Sequence, residues 1–133
     1  MPFSGSAGDR QLIRERFEIY SDAVTRQDLD TYLACWTEDG RRTGSGGECS
    51  GKDELRAHWH GIFGAVEQMM FFTQMASLEV DGDRAKARSY CLELLQLRDA
   101  PLGRMVGEYT DELVRVSGEW LFAHRHYRVT MTF

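Results

Sequence analysis

Gly107-Glu108-Tyr109-Thr110-Asp111-Glu112-Leu113-Val114-Arg115-Val116, then Ser117-Gly118, then Glu119-Trp120-Leu121-Phe122-Ala123-His124-Arg125-His126-Tyr127-Arg128-Val129, is a pair of long strand-like runs joined at a Ser-Gly turn. Alternating apolar runs around a short glycine-bearing turn predict a β-hairpin. The polar residues inside it do not sort into one wet and one dry face. Tyr109, Asp111, Arg125 and Tyr127 are placed to share one wall of a pocket, as a small-molecule enzyme or carrier requires.

Upstream, the same strand-like pattern continues. Met69 to Val80 reads as a first long strand, Asp81-Gly82-Asp83 as a tight turn, and Arg84 to Leu97 as a second strand. Arg98 to Gly103, with Pro101 and Gly103, reads as a loop. Further back the period becomes helical. Asp9 to Arg26 carries Leu12, Ile13, Phe17, Ile19, Tyr20, Ala23 and Val24 on a wide apolar stripe. After Asp28-Leu29-Asp30 a short helix turns Leu29, Tyr32, Leu33 and Trp36 inward, and Glu38-Asp39-Gly40 ends it. Arg41 to Gly51 is glycine-rich and reads as a short strand plus a loop. A third helix runs from about Lys52 to Ala65 with Leu55, Trp59, Ile62 and Phe63 inward, Ser50 as its N-cap and Asp53 in capping-box position. Helices first and an antiparallel meander after them predict one α+β domain over residues 9–133, with residues 1–8 as a flexible tail.

Bulk properties narrow the function classes. The chain has 133 residues, enough for one real core, and 42% hydrophobic with 28% charged residues fits a globular chain. The net charge of -5 and the lack of any Lys/Arg run argue against nucleic acid as a partner. No apolar stretch is long enough to span a bilayer, and the first residues lack the charged-then-apolar pattern of a signal peptide. Cys35, Cys49 and Cys91 are scattered and odd in number, which predicts reduced thiols in a cytoplasmic protein.

Gly46-Gly47-Glu48-Cys49-Ser50-Gly51-Lys52-Asp53 nearly spells a phosphate-binding loop, but Asp53 stands where magnesium needs Ser or Thr. Acidic residues in a phosphate cradle repel the ligand, so nucleotide hydrolysis is rejected. His58 and His60 sit two apart on a helix and point away from each other. His124 and His126 share a strand face with no further ligand near in sequence, so neither a metal nor another cofactor is expected.

Tyr20-Ser21-Asp22, Trp36-Thr37-Glu38-Asp39-Gly40, Gly51-Lys52-Asp53-Glu54-Leu55, Gly107-Glu108-Tyr109-Thr110-Asp111, and Gly118-Glu119-Trp120 with Arg125 follow one another in an order and spacing that resembles the SnoaL-like group of the nuclear transport factor two-like superfamily. The resemblance covers nearly the whole chain. It implies a cone-shaped α+β barrel, three N-terminal helices packed in a curved antiparallel sheet around one apolar pocket, and a homodimer formed through the outer sheet face. It also implies either cofactor-free acid–base chemistry on a small hydrophobic molecule, of isomerase, cyclase, dehydratase or hydrolase type, or a non-catalytic ligand-binding or interaction module. A weaker implication is a small subunit of a ring-hydroxylating dioxygenase, with a large iron-bearing partner.

In the dehydratase and dehydrochlorinase branch of that group, an Asp orients a His that removes a proton, and an Arg stabilises the departing charge. Asp28 falls at the Asp position and Arg125 at the Arg position, but Phe71 stands at the His position, so that His–Asp machinery is absent. Asp28 then has two readings: a helix N-cap, or a pocket carboxylate acting as base. Glu93, alone in the apolar run Cys91-Leu92-Glu93-Leu94-Leu95, is either a pocket carboxylate paired with Arg125 or Arg42, or an outward-facing charge. Asp111 with Tyr109 either holds an oxyanion or makes a structural hydrogen bond. The candidate catalytic residues are therefore Asp28, Glu93 and Arg125. Tyr20, Tyr32, Arg42, Met69, Phe71, Cys91, Met105, Tyr109, Tyr127 and Val129 are the candidate ligand contacts, the Met and Phe side chains favouring an apolar or aromatic ligand over a sugar or nucleotide.

Overall fold

The computed structural model describes residues 2–133. Its first elements are a two-residue strand, β1 (Phe3–Ser4), and helix α1 (Ala7–Arg26). The expected flexible tail is therefore ordered over its described part, and Met1 lies outside the described residues. Phe3 and Ser4 pair in parallel with Leu78 and Glu79, and the Leu78 amide donates to the Pro2 carbonyl at 2.7 Å. Ser6 caps α1, its hydroxyl accepting from the Asp9 amide at 3.1 Å. The helix buries Ile13, Phe17, Tyr20, Ala23 and Val24, a narrower stripe than expected, because Leu12 and Ile19 face solvent. Gln27 ends it in the left-handed region (φ 58°) and donates back to the Ala23 and Val24 carbonyls.

Helix α2 (Leu29–Ala34) stops earlier than the sequence suggested, and Trp36 opens a strand, β2 (Trp36–Gly44). Glu38-Asp39-Gly40 is a register shift inside β2, not a helix stop. Gly40 is required there, since a Cβ would meet the Trp36 indole at 2.8 Å. Strand β3 (Cys49–Ser50) folds back on β2, and helix α3 spans Lys52–Ala65. Its N-cap is Gly51 (φ 84°), not Ser50. The Glu54 carboxylate instead accepts the Ser50 amide at 3.0 Å.

The four long strands are β4 (Val66–Asp81), β5 (Arg84–Leu97), β6 (Gly103–Val116) and β7 (Glu119–Thr132). The sheet order is β1-β4-β5-β6-β7-β2-β3. The meander is antiparallel as expected, but β1–β4 and β2–β7 are parallel pairs, so the sheet is mixed. Register shifts in β4, β6 and β7 bend the sheet over the helices, giving an α+β cone. α1 lies across β4 and β7, and Phe17 meets Phe122 edge-on at 5.0 Å. No helix among the described residues is long and apolar enough to cross a membrane.

Candidate active site

The inward residues of the meander form layers, because facing pairs on neighbouring strands stand at one height. One layer holds Ala87, Asp111 and Arg125, the next Ser89, Tyr109 and Tyr127, then Cys91, Gly107 and Val129, then Glu93 and Met105. The first of these layers is solid. Arg125 is 1% exposed and forms a two-pronged pair with Asp111, Nε donating at 2.7 Å and Nη2 at 3.1 Å. Its guanidinium lies 3.7 Å from the centre of the Tyr109 ring, 4.4 Å from Phe122, 4.5 Å from Tyr20 and 5.1 Å from Phe17. Burial alone favours a neutral guanidine, but Asp111 and the surrounding tyrosines outweigh it and hold Arg125 protonated.

The layers beyond open into a cavity of about 250 Å³. Its apolar wall is Trp59, Ile62, Met69, Met105 and Val129; its polar groups are Arg42, Ser45, His58, Glu93 and Tyr127, with Gly46 at one side. β5 supplies Glu93, β2 Arg42, β7 Tyr127 and α3 His58. Glu93 is inward as its period-two position allows, and 7% exposed. Burial raises its carboxyl, against the pull of Arg42 and then Arg125, to about 7. Burial and then the Arg42 charge lower the His58 imidazole below 6.5, and its Nε2 is buried without a hydrogen-bond partner. The Tyr127 ring stacks on Tyr109 at 4.5 Å, and the Cys91 thiol donates to its hydroxyl at 3.8 Å. Burial, reinforced by Glu93, keeps Tyr127 and Cys91 protonated, the thiol pushed up to about 11.

The structure brings Arg42, Met69, Glu93, Met105, Tyr127 and Val129 together at this cavity, and separates the other candidates from it. Asp28 is exposed and is the N-cap of α2. Its carboxylate accepts the Thr31 amide at 3.1 Å and hydroxyl at 2.7 Å, which hold it below the usual carboxylate range. Arg125 is consumed by Asp111 and the rings around it, so Tyr109 and Asp111 form core and not an oxyanion site. Tyr20, Tyr32 and Phe71 belong to the same aromatic core, Phe71 lying 5.9 Å from Tyr20 and 6.3 Å from Tyr109. Cys91 supports Tyr127 from beneath.

Sequence reasoning turned Trp59 and Ile62 inward but did not assign them to the site, and it missed His58, Ser45 and Gly46 there. For the helix residues the signal was present: with Leu55, His58, Trp59 and Ile62 lie at helical spacing on the inward side of α3, while His60 is exposed. His124 and His126 face away from the cavity and share the Thr43 hydroxyl, each at 2.8 Å. Among the described residues no group of three or more metal-ligating side chains converges.

Helices packed on a bent mixed sheet, with a cavity lined by both polar and apolar side chains, define an α+β cone. The chain belongs to the SnoaL-like domain family, whose model matches residues 6–126. No curated protein sequence matches the chain significantly. Among solved structures, it is similar to a protein from Novosphingobium aromaticivorans provisionally named a scytalone dehydratase, with 23% identity, 94% of this chain and 86% of that one covered, and a TM-score of 0.88. It is also similar to Rv3472 of Mycobacterium tuberculosis, whose function is unknown (28% identity, 94% and 78% covered, TM-score 0.85). A third is the hexachlorocyclohexane dehydrochlorinase LinA-type3 of Novosphingobium barchaimii LL02 (19% identity, 95% and 89% covered, TM-score 0.82). At these identities the two enzyme likenesses show the fold alone.

Proposed function

We propose that the cavity is an active site for cofactor-free acid–base chemistry, of isomerase, cyclase or dehydratase type, on a small hydrophobic or aromatic molecule. The observation that carries this is Glu93, a buried carboxyl on the cavity wall with its proton held to about 7. Such a group is present near neutral pH both as an acid that donates and as a base that accepts. Tyr127 and His58 supply hydrogen bonds that orient a carbonyl or hydroxyl, and Trp59, Met69 and Met105 take its apolar body. The chain's three free thiols fit a cytoplasmic protein, and the outer sheet face fits a homodimer interface.

A second reading, a non-catalytic binding module, draws on Phe71, which fills with core the position where the dehydratase branch keeps its His. Solvent-deuterium exchange separates the two. Incubating the protein in D₂O with a panel of apolar cyclic ketones, enones and hydroxyaryl ketones should give enzyme-dependent loss of C–H signal for some member. Glu93→Gln should slow that exchange about 10²- to 10⁴-fold. Exchange unaffected by Glu93→Gln would remove Glu93 from the chemistry, and no exchange across the panel would favour the binding module.

A further inference from the structure

Arg42 differs from Arg125, the other buried cation among the described residues. It is only 5% exposed, yet among the described residues no carboxylate lies within ion-pairing distance of it. Arg125, buried to the same degree, has Asp111 and four aromatic rings. Arg42 has one hydrogen bond, Nη1 donating to the Gly47 carbonyl at 2.8 Å, and the Tyr127 ring at 5.6 Å. Its Nε is buried with no acceptor, and its Nη2 donates to none of the described residues. A buried guanidinium normally has its charge answered and its donors filled.

Gly46, with φ 87°, leaves the outer, Nη end of the guanidinium uncovered. A Cβ on Gly46 would lie 3.3 Å from Nη2 and 3.7 Å from Nη1, over the guanidinium itself. Gly46 and Arg42 both line the cavity, together with the apolar Trp59, Ile62, Met69, Met105 and Val129. The planar donor edge of an arginine matches a carboxylate, two parallel N–H groups meeting two oxygens. We infer that the cavity binds a small apolar carboxylate, of one or two rings, with its anionic end on Arg42 and with Glu93 entering the complex as the neutral acid. This rests on the reading of the cavity as the ligand site, and it names the chemical class of the ligand.

The state of Glu93 follows from electrostatics. Two carboxylates around one buried guanidinium repel each other, so the ligand's charge displaces that of Glu93 onto a proton. Within the Proposed function, Glu93 then acts first as the acid. Binding takes up one proton above the pH at which Glu93 ionises in the free protein. The other groups facing Glu93 do not blur this. Arg42 from β2 and Arg125 from β7 pull the Glu93 carboxyl down, Arg125 itself being raised, against its burial, by Asp111, while Tyr127 of β7, Tyr109 of β6 and Cys91 of β5 stay neutral, all three raised by burial. Burial lowers His58 of α3, which favours its neutral form.

Calorimetric titration of the whole chain with 2-naphthoate and with its neutral counterpart 2-naphthamide tests the inference. The carboxylate should bind at least about tenfold more tightly than the amide at pH 6. Arg42→Gln should weaken naphthoate about ten- to hundredfold and naphthamide by a much smaller factor, with a melting curve showing that the variant is folded. Wild-type affinity for naphthoate should fall about thirtyfold between pH 6 and pH 8.5, while Glu93→Gln should bind with no such slope, a readout that needs no change at Arg42. Equal affinity for acid and amide overturns the carboxylate assignment and keeps the cavity as an apolar site. Binding of neither, with deuterium exchange intact, overturns the assignment alone. Binding of neither with exchange also absent overturns both.

Discussion

At the scale of single residues, a buried ion pair and a buried lone carboxyl three layers away do opposite things. The Arg125–Asp111 pair is fully enclosed and mutually satisfied, and removing one partner of such a pair costs about 3–5 kcal/mol because the other is left buried and uncompensated. Glu93 is buried with no such partner, and its cost appears in its proton affinity. Its carboxyl sits at about 7 in the folded chain against an ordinary 4.5. The folded state therefore binds the proton more tightly than the unfolded state. The stability that this group contributes is fully present below about pH 4.5 and is lost as the pH rises through about 7, a loss of about 3 kcal/mol. Glu93→Gln, which keeps the shape of the neutral acid and cannot ionise, should be insensitive over that window. Urea unfolding of both proteins from pH 4 to pH 8 checks it: their difference should open steadily with pH, the variant becoming the more stable, and parallel curves would mean that Glu93 does not titrate in this window.

At the scale of elements, β6 and β7 pack closely beside the cavity at Gly107. A Cβ there would overlap the Tyr127 ring, so the ring lies flat on β6 only because residue 107 is glycine. The register shift between Val106 and Gly107 sets the ring at that height. Gly107→Ala should force the ring off its stack with Tyr109 and toward the cavity, costing about 1–3 kcal/mol as overpacking. A fall in melting temperature together with loss of naphthoate binding is the expected pair of results; loss of stability alone would place Tyr127's ring outside the ligand volume. The same strands show what was legible in the sequence. The period of two identified β5 to its ends, β6 from Gly107 where it begins at Gly103, and β7 to Val129 where it ends at Thr132; it placed Tyr109 with Asp111 and Arg125 with Tyr127, and left the direction of Glu93 open. It carries no information on height along the cone, and height is what separates Arg125 in the solid layer from Glu93 at the cavity. β1 was read as tail because two residues have no period, and the first half of β2 as helix end because the shift at Glu38-Asp39-Gly40 breaks the alternation; from Arg41 on, β2 was read as a short strand. Asp28 sits where both a cap and a pocket carboxylate fit the sequence; only the direction of α2 decides, and it turns the carboxylate to solvent.

At the scale of the whole molecule, the outer face of the sheet poses the remaining problem of apolar surface. Phe72 of β4 is 50% exposed, and it stands opposite Leu92 of β5. Leu92 stands opposite Val106 of β6, and Val106 opposite Met131 of β7, itself 58% exposed. Four outward apolar side chains thus form one row across four adjacent strands, with Tyr90 beside Phe72 on the same face. Single exposed apolar residues are ordinary, but a continuous row is not. Charged groups flank it, Arg88 on β5 and the Glu108–Arg128 pair at 3.3 Å across β6 and β7. An apolar centre with a charged border is the anatomy of an interface. In the homodimer proposed above, a second copy related by a two-fold axis would present the same row, and two sheets stacked face to face would bury both. Sedimentation equilibrium should therefore give twice the chain mass of 15.3 kDa for the wild type. Phe72→Asp places a charge in the row, whose burial in the dimer is costly, while leaving the inward face of β4 untouched; it should sediment as a single chain with its naphthoate affinity unchanged. That last measurement separates the two faces of one sheet. A wild type at single-chain mass would mean that the row is not a dimer interface, and a monomeric variant without naphthoate binding would mean that the cavity is complete only when two copies meet.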